Sequence, residues 1–299
     1  MLRPYDGPAR VLVGHDGSAD SDSALRYAVT AALAHDAELV LLFAVDDMVL
    51  NSAWGVVFDP ETIRGSALEV LRGAVDRAVE AGMPSERIRH EIELGNPAAV
   101  LSRLSETASL IVIGRSSVAE GERAYIGSTA VGVAGTAHCP VIVVSGDQEQ
   151  RTARTGTIGV GVNTAAKGAV ALEWALQECE AQGGRVAVVS VAKAAAGGWF
   201  RGGGAPAEVQ AEVLAVTRER VEAMIAPLAA QHPGVEVELD VVYGNPLDVL
   251  VARSADFDLL VIEVQPAFPT YSIGGTTRGL MAYSHCPVGT IRTRDSHGS

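Results

Sequence analysis

The run His-Cys-Pro-Val is written twice in this chain, inside TAHCPVIVV from Thr136 and again inside YSHCPVGTI from Tyr283, 147 residues later. A long chain repeated at a fixed period has to fold as two copies of one unit, so the alignment of the copies constrains everything else. At the same offset VLVGHDGSADSDSALRYAV from Val11 falls on IGVGVNTAAKGAVALEWAL from Ile158, with Gly14 over Gly161, Leu25 over Leu172 and Tyr27 over Trp174. GNPAAVL from Gly95 falls on GNPLDVL from Gly244, and SLIVIG from Ser109 on DLLVIE from Asp258, both at an offset of 149. The offset returns to 147 at IGST from Ile126 over IGGT from Ile273, so the second copy is two residues shorter within that span.

Two readings of the repeated phrase are open. His138, Cys139, His285 and Cys286 have the composition of a tetrahedral zinc set. Each pair, however, is adjacent in sequence and runs directly into Pro and an apolar β-branched stretch. Neighbouring residues of a strand point to opposite faces, which suits chelation of one ion poorly. The phrase therefore reads as a helix end entering the last strand of each copy, and no metal site is expected.

The chain has 299 residues, enough for two cores of about 145 residues, each able to bury roughly two thirds of its unfolded surface. Its formal charge is −13, with acids in excess in both copies and no cluster of basic residues. Nucleic acid and anionic membrane surfaces, which recruit clustered Lys and Arg, are not expected partners. Three cysteines in so long a chain argue for reduced thiols and a cytoplasmic setting. The first residues lack a signal-peptide core, and no apolar run reaches the roughly 18 residues of a membrane span.

In the first copy the apolar runs VLVG, ELVLLFAV, IRHEIEL, LIVIG and PVIVV alternate with segments of helical periodicity. The second copy repeats this with TIGVGV, RVAVVSV, VEVELDVV, LLVIE and PVGTI. Continuous Val/Ile/Leu strands joined by helices predict an α/β fold with a parallel sheet covered on both faces. SADSDSAL supplies capping residues for the first helix, and Asn96-Pro97 a cap and a first-turn proline for a later one. Domains are expected over 1–147 and 155–294, joined by the polar stretch SGDQEQRTARTGT from Ser145. Two long loops carry Trp54 and Trp199, which either pack over the fold or face a ligand.

In an open parallel sheet ligands bind beyond the carboxyl ends of the strands, where the strand order reverses, here between the first and fourth strands. The first ends in Gly14-His15-Asp16-Gly17-Ser18 and the fourth in Gly114-Arg115-Ser116-Ser117, which leads to Gly127-Ser128-Thr129 at a helix start. Free N–H groups there can cradle phosphate, and a carboxylate such as Asp16 can accept from a ribose hydroxyl or an exocyclic amine. An ordinary turn with helix caps accounts for Asp16-Gly17-Ser18 equally well. His15, a lone histidine at a strand end, is expected on the surface, with a role as base the alternative. GVNTAAKG from Gly161 has Ala166 and Gly168 where a P-loop needs Gly and Ser or Thr. GVG from Gly159 to Gly161 lacks the third glycine of the dinucleotide fingerprint.

VGHDGS near the start of a copy, Gly114-x₂-Ser117-x₉-Gly127-Ser128, and a closing HCPVIVV together resemble the universal stress protein family, in duplicate its tandem class. The resemblance covers nearly the whole chain. It implies two tandem doubly wound five-stranded parallel-sheet domains of Rossmann-like strand order 3-2-1-4-5, forming a pseudo-dimer through their fifth strands. It also implies an adenine nucleotide, ATP or AMP, with Mg²⁺ as a candidate companion. Asp16 and the backbone near Ala44 would contact adenine and ribose, with Gly14 and Ile113 beside them. Gly114, Ser117, Gly127, Ser128 and Thr129 would surround the phosphates, with Arg115 and Arg123 offsetting the negative charge that Glu120 and Glu122 add to the loop. The family's ATP-binding pattern has glycine where Ser117 stands. In the second copy Asp16 becomes Asn163, Gly114 becomes Glu263 and Ser117 becomes Pro266, so that copy is expected to have lost nucleotide binding. The function so implied is a cytoplasmic stress-response regulator that acts through conformation or an unknown protein partner, with a homodimer optional. A slow ATPase or nucleotide-transfer enzyme and a ligand-free interaction scaffold are the alternatives.

Overall fold

The computed structural model describes residues 9–46, 60–116, 126–145, 155–163, 167–192, 206–265 and 273–293. Trp54, Trp199 and most of the expected linker lie outside the described residues. The chain divides into two compact units. The first comprises Met1–Thr152 with Val264–Ala282 and Gly289–Ser299, the second Ala153–Glu263 with Tyr283–Val288.

The first unit is built on β1 (Arg10–Gly14), β2 (Glu38–Val45), β3 (Ile88–Leu94), β4 (Leu110–Gly114) and β5 (Val141–Val144). They lie in the order β3-β2-β1-β4-β5, and every adjacent pair among them is parallel. That is the expected 3-2-1-4-5 order. β4 and β5 are buried along almost their whole length, as strands covered on both faces must be, and this is why they read as unbroken apolar runs. β3 is different: Arg89, His90 and Glu91 are exposed on a strand with only one neighbour, and such charges discourage pairing with another chain.

Among the described residues four helices belong to this part of the sequence: α1 (Ala19–Ala34), α2 (Pro60–Glu80), α3 (Pro97–Leu104) and α4 (Ser128–Thr136). α1 starts where the sequence provides a cap, the Ser18 hydroxyl accepting the Ser21 N–H at 3.2 Å. It buries Ala24, Leu25, Ala28, Val29, Ala31 and Ala32, and these mostly small side chains let it approach the sheet closely. α3 starts at Asn96-Pro97, where the Asn96 side chain accepts from the N–H groups of Ala98 and Ala99.

The second unit repeats the plan with β6 (Thr157–Val162), β7 (Arg185–Ala192), β8 (Glu236–Tyr243) and β9 (Leu259–Val264) in the order β9-β6-β7-β8, all parallel. Its helices are α5 (Ala169–Gln182), α6 (Ala207–Ala229) and α7 (Pro246–Arg253). Asn245 caps α7 as Asn96 caps α3. The sequence closes with α8 (Gly275–Tyr283) and β10 (Val288–Arg292). Residues Gly289–Arg292 of β10 belong to the first unit, where the strand is hydrogen-bonded beside β5 and the Thr290 hydroxyl donates to the Val141 carbonyl at 3.4 Å.

The repeated His-Cys-Pro-Val phrase makes the same contacts in each unit. The His138 N–H donates to the Ser105 hydroxyl at 2.8 Å, and the His285 N–H to the Ser254 hydroxyl at 2.8 Å. The next carbonyl but one is also used: Pro140 accepts from the Ile111 N–H and Pro287 from the Leu260 N–H. Cys139 and Cys286 are buried thiols outside any disulfide, whereas His138 is exposed. The phrase is the turn that delivers each last strand to its sheet, satisfied through its backbone. Among the described residues no three His, Cys, Asp or Glu side chains converge on a common point.

Candidate functional site

At the carboxyl ends of β1 and β4 the first unit contains a cavity of about 340 Å³. Gly14, Asp16, Ala44, Ile113, Gly114, Arg115, Gly127, Ser128 and Thr129 all line it. These are nine of the ten residues singled out from the sequence; the tenth, Ser117, lies outside the described residues, as do Glu120, Glu122 and Arg123 of the same loop. His15, Ser18, Ser21, Asp46 and Ser116 add polar groups that the sequence reading did not assign to the site.

One wall is the turn after β1. Asp16 Oδ1 accepts from the Ser18 N–H at 3.0 Å and from the Ser18 hydroxyl at 2.6 Å, while Ser18 Oγ in turn caps α1. Gly17 sits between them with φ +85°, a conformation that any side chain would strain. The turn is thus both things the sequence allowed, a helix cap and the rim of a cavity. Asp16 is exposed, and its Oδ2 has no hydrogen-bond partner among the described residues.

The opposite wall is the end of β4 and the start of α4. The Arg115 N–H donates to the Val144 carbonyl at 2.7 Å, and the Arg115 carbonyl accepts from the Gly127 N–H at 2.9 Å. Both ends of the loop are therefore pinned at one residue, which holds the first turn of α4 beside β4. The N–H groups of Ser128, Thr129 and Ala130, in that turn, have no partner within the helix, as the geometry of a helix start requires. The Arg115 side chain is mostly buried: its Nη1 donates to the Ala282 carbonyl at 3.2 Å and its Nε lies 3.9 Å from the Asp20 carboxylate.

The sequence offers Gly114 as a place where a ligand could approach the backbone. The structure gives it another reason. A Cβ there would stand 2.8 Å from the Asp20 carbonyl carbon and 2.9 Å from the Ser21 nitrogen. Gly114 lets the first turn of α1 rest against the end of β4. The expectation for His15 is also corrected: it is 2% exposed, its ring enclosed between β1, α1 and α2. Its Nδ1 accepts from the Gly17 N–H at 3.3 Å, and its Nε2 lies 3.0 Å from Asp22 Oδ1. Burial pushes the ring below its usual pKa of 6.5, outweighing the neighbouring Asp22 carboxylate, which pulls the other way.

The same region of the second unit is built differently. Asn163 Oδ1 accepts from the Lys167 N–H at 2.9 Å, closing a local loop, and α5 begins only at Ala169, three residues later than the repeat would place it. Glu263 occupies the strand end that Gly114 occupies in the first unit, so a helix start cannot approach there in the same way. Pro266 lies outside the described residues.

With this geometry in view, the universal stress protein family model matches the chain twice, over residues 8–145 and 155–292. The chain belongs to the universal stress protein family. It is 26% identical over 298 residues to a universal stress protein of Mycolicibacterium smegmatis, a match covering 95% of this chain and 97% of that one. A solved universal stress protein of Archaeoglobus fulgidus shares the fold at 18% identity with a TM-score of 0.68, covering 99% of this chain and all of that one. A solved universal stress protein in complex with cAMP is 29% identical, covering 46% of this chain and 97% of that one, with a TM-score of 0.37. In this tandem universal stress protein no helix among the described residues is long and apolar enough to cross a membrane.

Proposed function

We propose that the first unit binds an adenine nucleotide, ATP or AMP, and that the protein is a cytoplasmic stress-response regulator whose output is conformation or a protein partner. The observation that carries this reading is the meeting of a carboxylate turn and a helix start across one cavity. Asp16 Oδ2 can accept from a ribose hydroxyl or the adenine amine, and the first-turn N–H groups of α4 can donate to phosphate. The cavity is at the small end of the range for ligand sites, which suits one nucleotide. If Mg²⁺ accompanies a triphosphate, its ligands would come mainly from phosphate oxygens and water.

Regulation is favoured over turnover because the histidine at the site has both ring nitrogens engaged inside the fold. Among the described residues no lysine lines this cavity, and the chain's two lysines, Lys167 and Lys193, both belong to the second copy of the repeat. The second copy is read as a partner without nucleotide, since Asn163 is committed to its own loop and Glu263 would set a carboxylate where phosphate has to lie. Mass spectrometry of gently purified protein after denaturation tests the reading. A released adenine nucleotide, at one per chain, is the expected result. Protein that carries none and takes up neither ATP nor AMP in calorimetry would turn the assignment toward an interaction scaffold.

A further inference from the structure

Among the described residues His15 is the one ionisable side chain at the cavity that is buried outright, and the proposed function leaves it without a task. Its surroundings fix its state. The Gly17 N–H can only donate, so Nδ1 must present a lone pair. Nε2 then carries the proton and donates to Asp22 Oδ1 at 3.0 Å. Arg77 Nη2, also a donor, lies 2.8 Å from the same carboxylate oxygen and 3.4 Å from Nε2, so it completes Asp22 rather than the ring. The charged groups facing the imidazole are Asp22 from α1, Arg77 from α2 and Asp16 from its own turn, while β2 contributes the Leu42 carbonyl, which accepts the His15 N–H at 2.9 Å.

We propose that His15 is a positioning residue of the nucleotide site: the neutral ring holds the Gly17 amide, thereby sets the turn that presents Asp16, and releases nucleotide when it takes a second proton. The inference rests on the nucleotide reading above. A proton on Nδ1 would face the Gly17 N–H donor to donor, and the imidazolium would stand beside the Arg77 guanidinium. Gly17 and Ser18 would have to move, and Ser18 holds Asp16 Oδ1 through both its N–H and its hydroxyl. The ring resists protonation by burial, so the change falls on the acid side of its usual range.

The test is calorimetric titration of the whole chain with ATP at about pH 7.5 and about pH 5.5, for wild type, His15→Leu and His15→Asn, with long-range ¹H–¹⁵N NMR of the histidine ring in the ligand-free protein. The amide oxygen introduced by His15→Asn can stand where Nδ1 stands, whereas the side chain introduced by His15→Leu fills the space without an acceptor. The expected result is an Nε2–H ring, a loss of affinity of about tenfold in His15→Leu, and near wild-type affinity in His15→Asn at the higher pH. ATP's own protonation is common to all three proteins, so the extra loss at low pH seen in wild type and absent in His15→Asn reports the ring. Wild-type ATP binding that survives His15→Leu unchanged, or an Nδ1–H ring, overturns the role of His15 alone. Wild-type protein with the Nε2–H ring that binds neither ATP nor, in the same titration, AMP overturns the nucleotide reading and this role with it. Because the ring state is read in the wild type, a His15→Leu protein that fails to fold leaves the NMR result and the His15→Asn comparison to decide.

Discussion

The Ser116 backbone N–H donates to the Asp20 carboxylate at 3.0 Å, which ties the loop leaving β4 to the first turn of α1. The tie is possible because Gly114, two residues earlier, presents no Cβ to that turn. A small strand end, a capping serine and an acidic first turn therefore act together to shape one side of the cavity.

Gly114→Ala should destabilise the first unit by about 1–3 kcal/mol, the usual cost of forcing an extra carbon into a filled space, because its Cβ would meet backbone atoms of α1. Urea denaturation measures the loss. ATP affinity should fall with it, since the start of α1 carries Ser18 and Ser21 of the cavity wall. A Gly114→Ala protein as stable as wild type would mean that α1 shifts freely.

Asp16→Ala should abolish ATP uptake, and Gly127→Asp should do the same by setting a carboxylate at the start of α4, where phosphate is to be held. Asn163→Ala should leave uptake unchanged. Calorimetry decides all three, and a stoichiometry of two nucleotides per chain would end the idea that the copies have diverged.

Ser105→Ala and Ser254→Ala should each cost about 1 kcal/mol, because each removes the buried hydroxyl that accepts the part-buried backbone N–H of a histidine. The repeat predicts similar losses in the two variants. Chemical denaturation followed by circular dichroism checks this, and a negligible change in either would mean that water replaces the hydroxyl.

Stability should also depend on pH through His15. Its folded pKa lies below the unfolded value of 6.5, so the unfolded chain binds the proton first as pH falls. The contribution is therefore complete above about pH 6.5 and is lost on acidification, by at most about 1.4 kcal/mol per pH unit, until the folded ring titrates as well. Urea midpoints at about pH 7 and 5.5 should separate more in wild type than in His15→Asn, which has no titrating ring. Equal separations would mean that the folded ring titrates normally.

Much of this was legible in the sequence, because strand order and helix caps depend on local pattern and on the parallel-sheet rule. Ser18, Asn96 and Asn245 cap the helices they precede. The residues of the cavity were legible because strand ends and a helix start converge wherever strand order reverses. The state of His15 was not. It depends first on burial, to which α2 contributes by placing Arg77, 62 residues away in sequence, 3.4 Å from the ring, and no spacing within the strand-end motif announces that packing. The purpose of Gly114 was hidden for a related reason: the atoms that forbid a side chain there belong to α1, which precedes it by most of a domain.

The two backbone bonds of Arg115 have a consequence for how the copies were free to drift apart. A chain that leaves and returns through a single residue forms a closed excursion, and its contour length is uncoupled from the sheet on which it stands. Residues can be gained or lost inside it without moving β4 or α4. It is within the matching stretch of the second copy that two residues have gone and the register returns from 149 to 147. The frame on either side could stay in phase while the sequence between was rewritten.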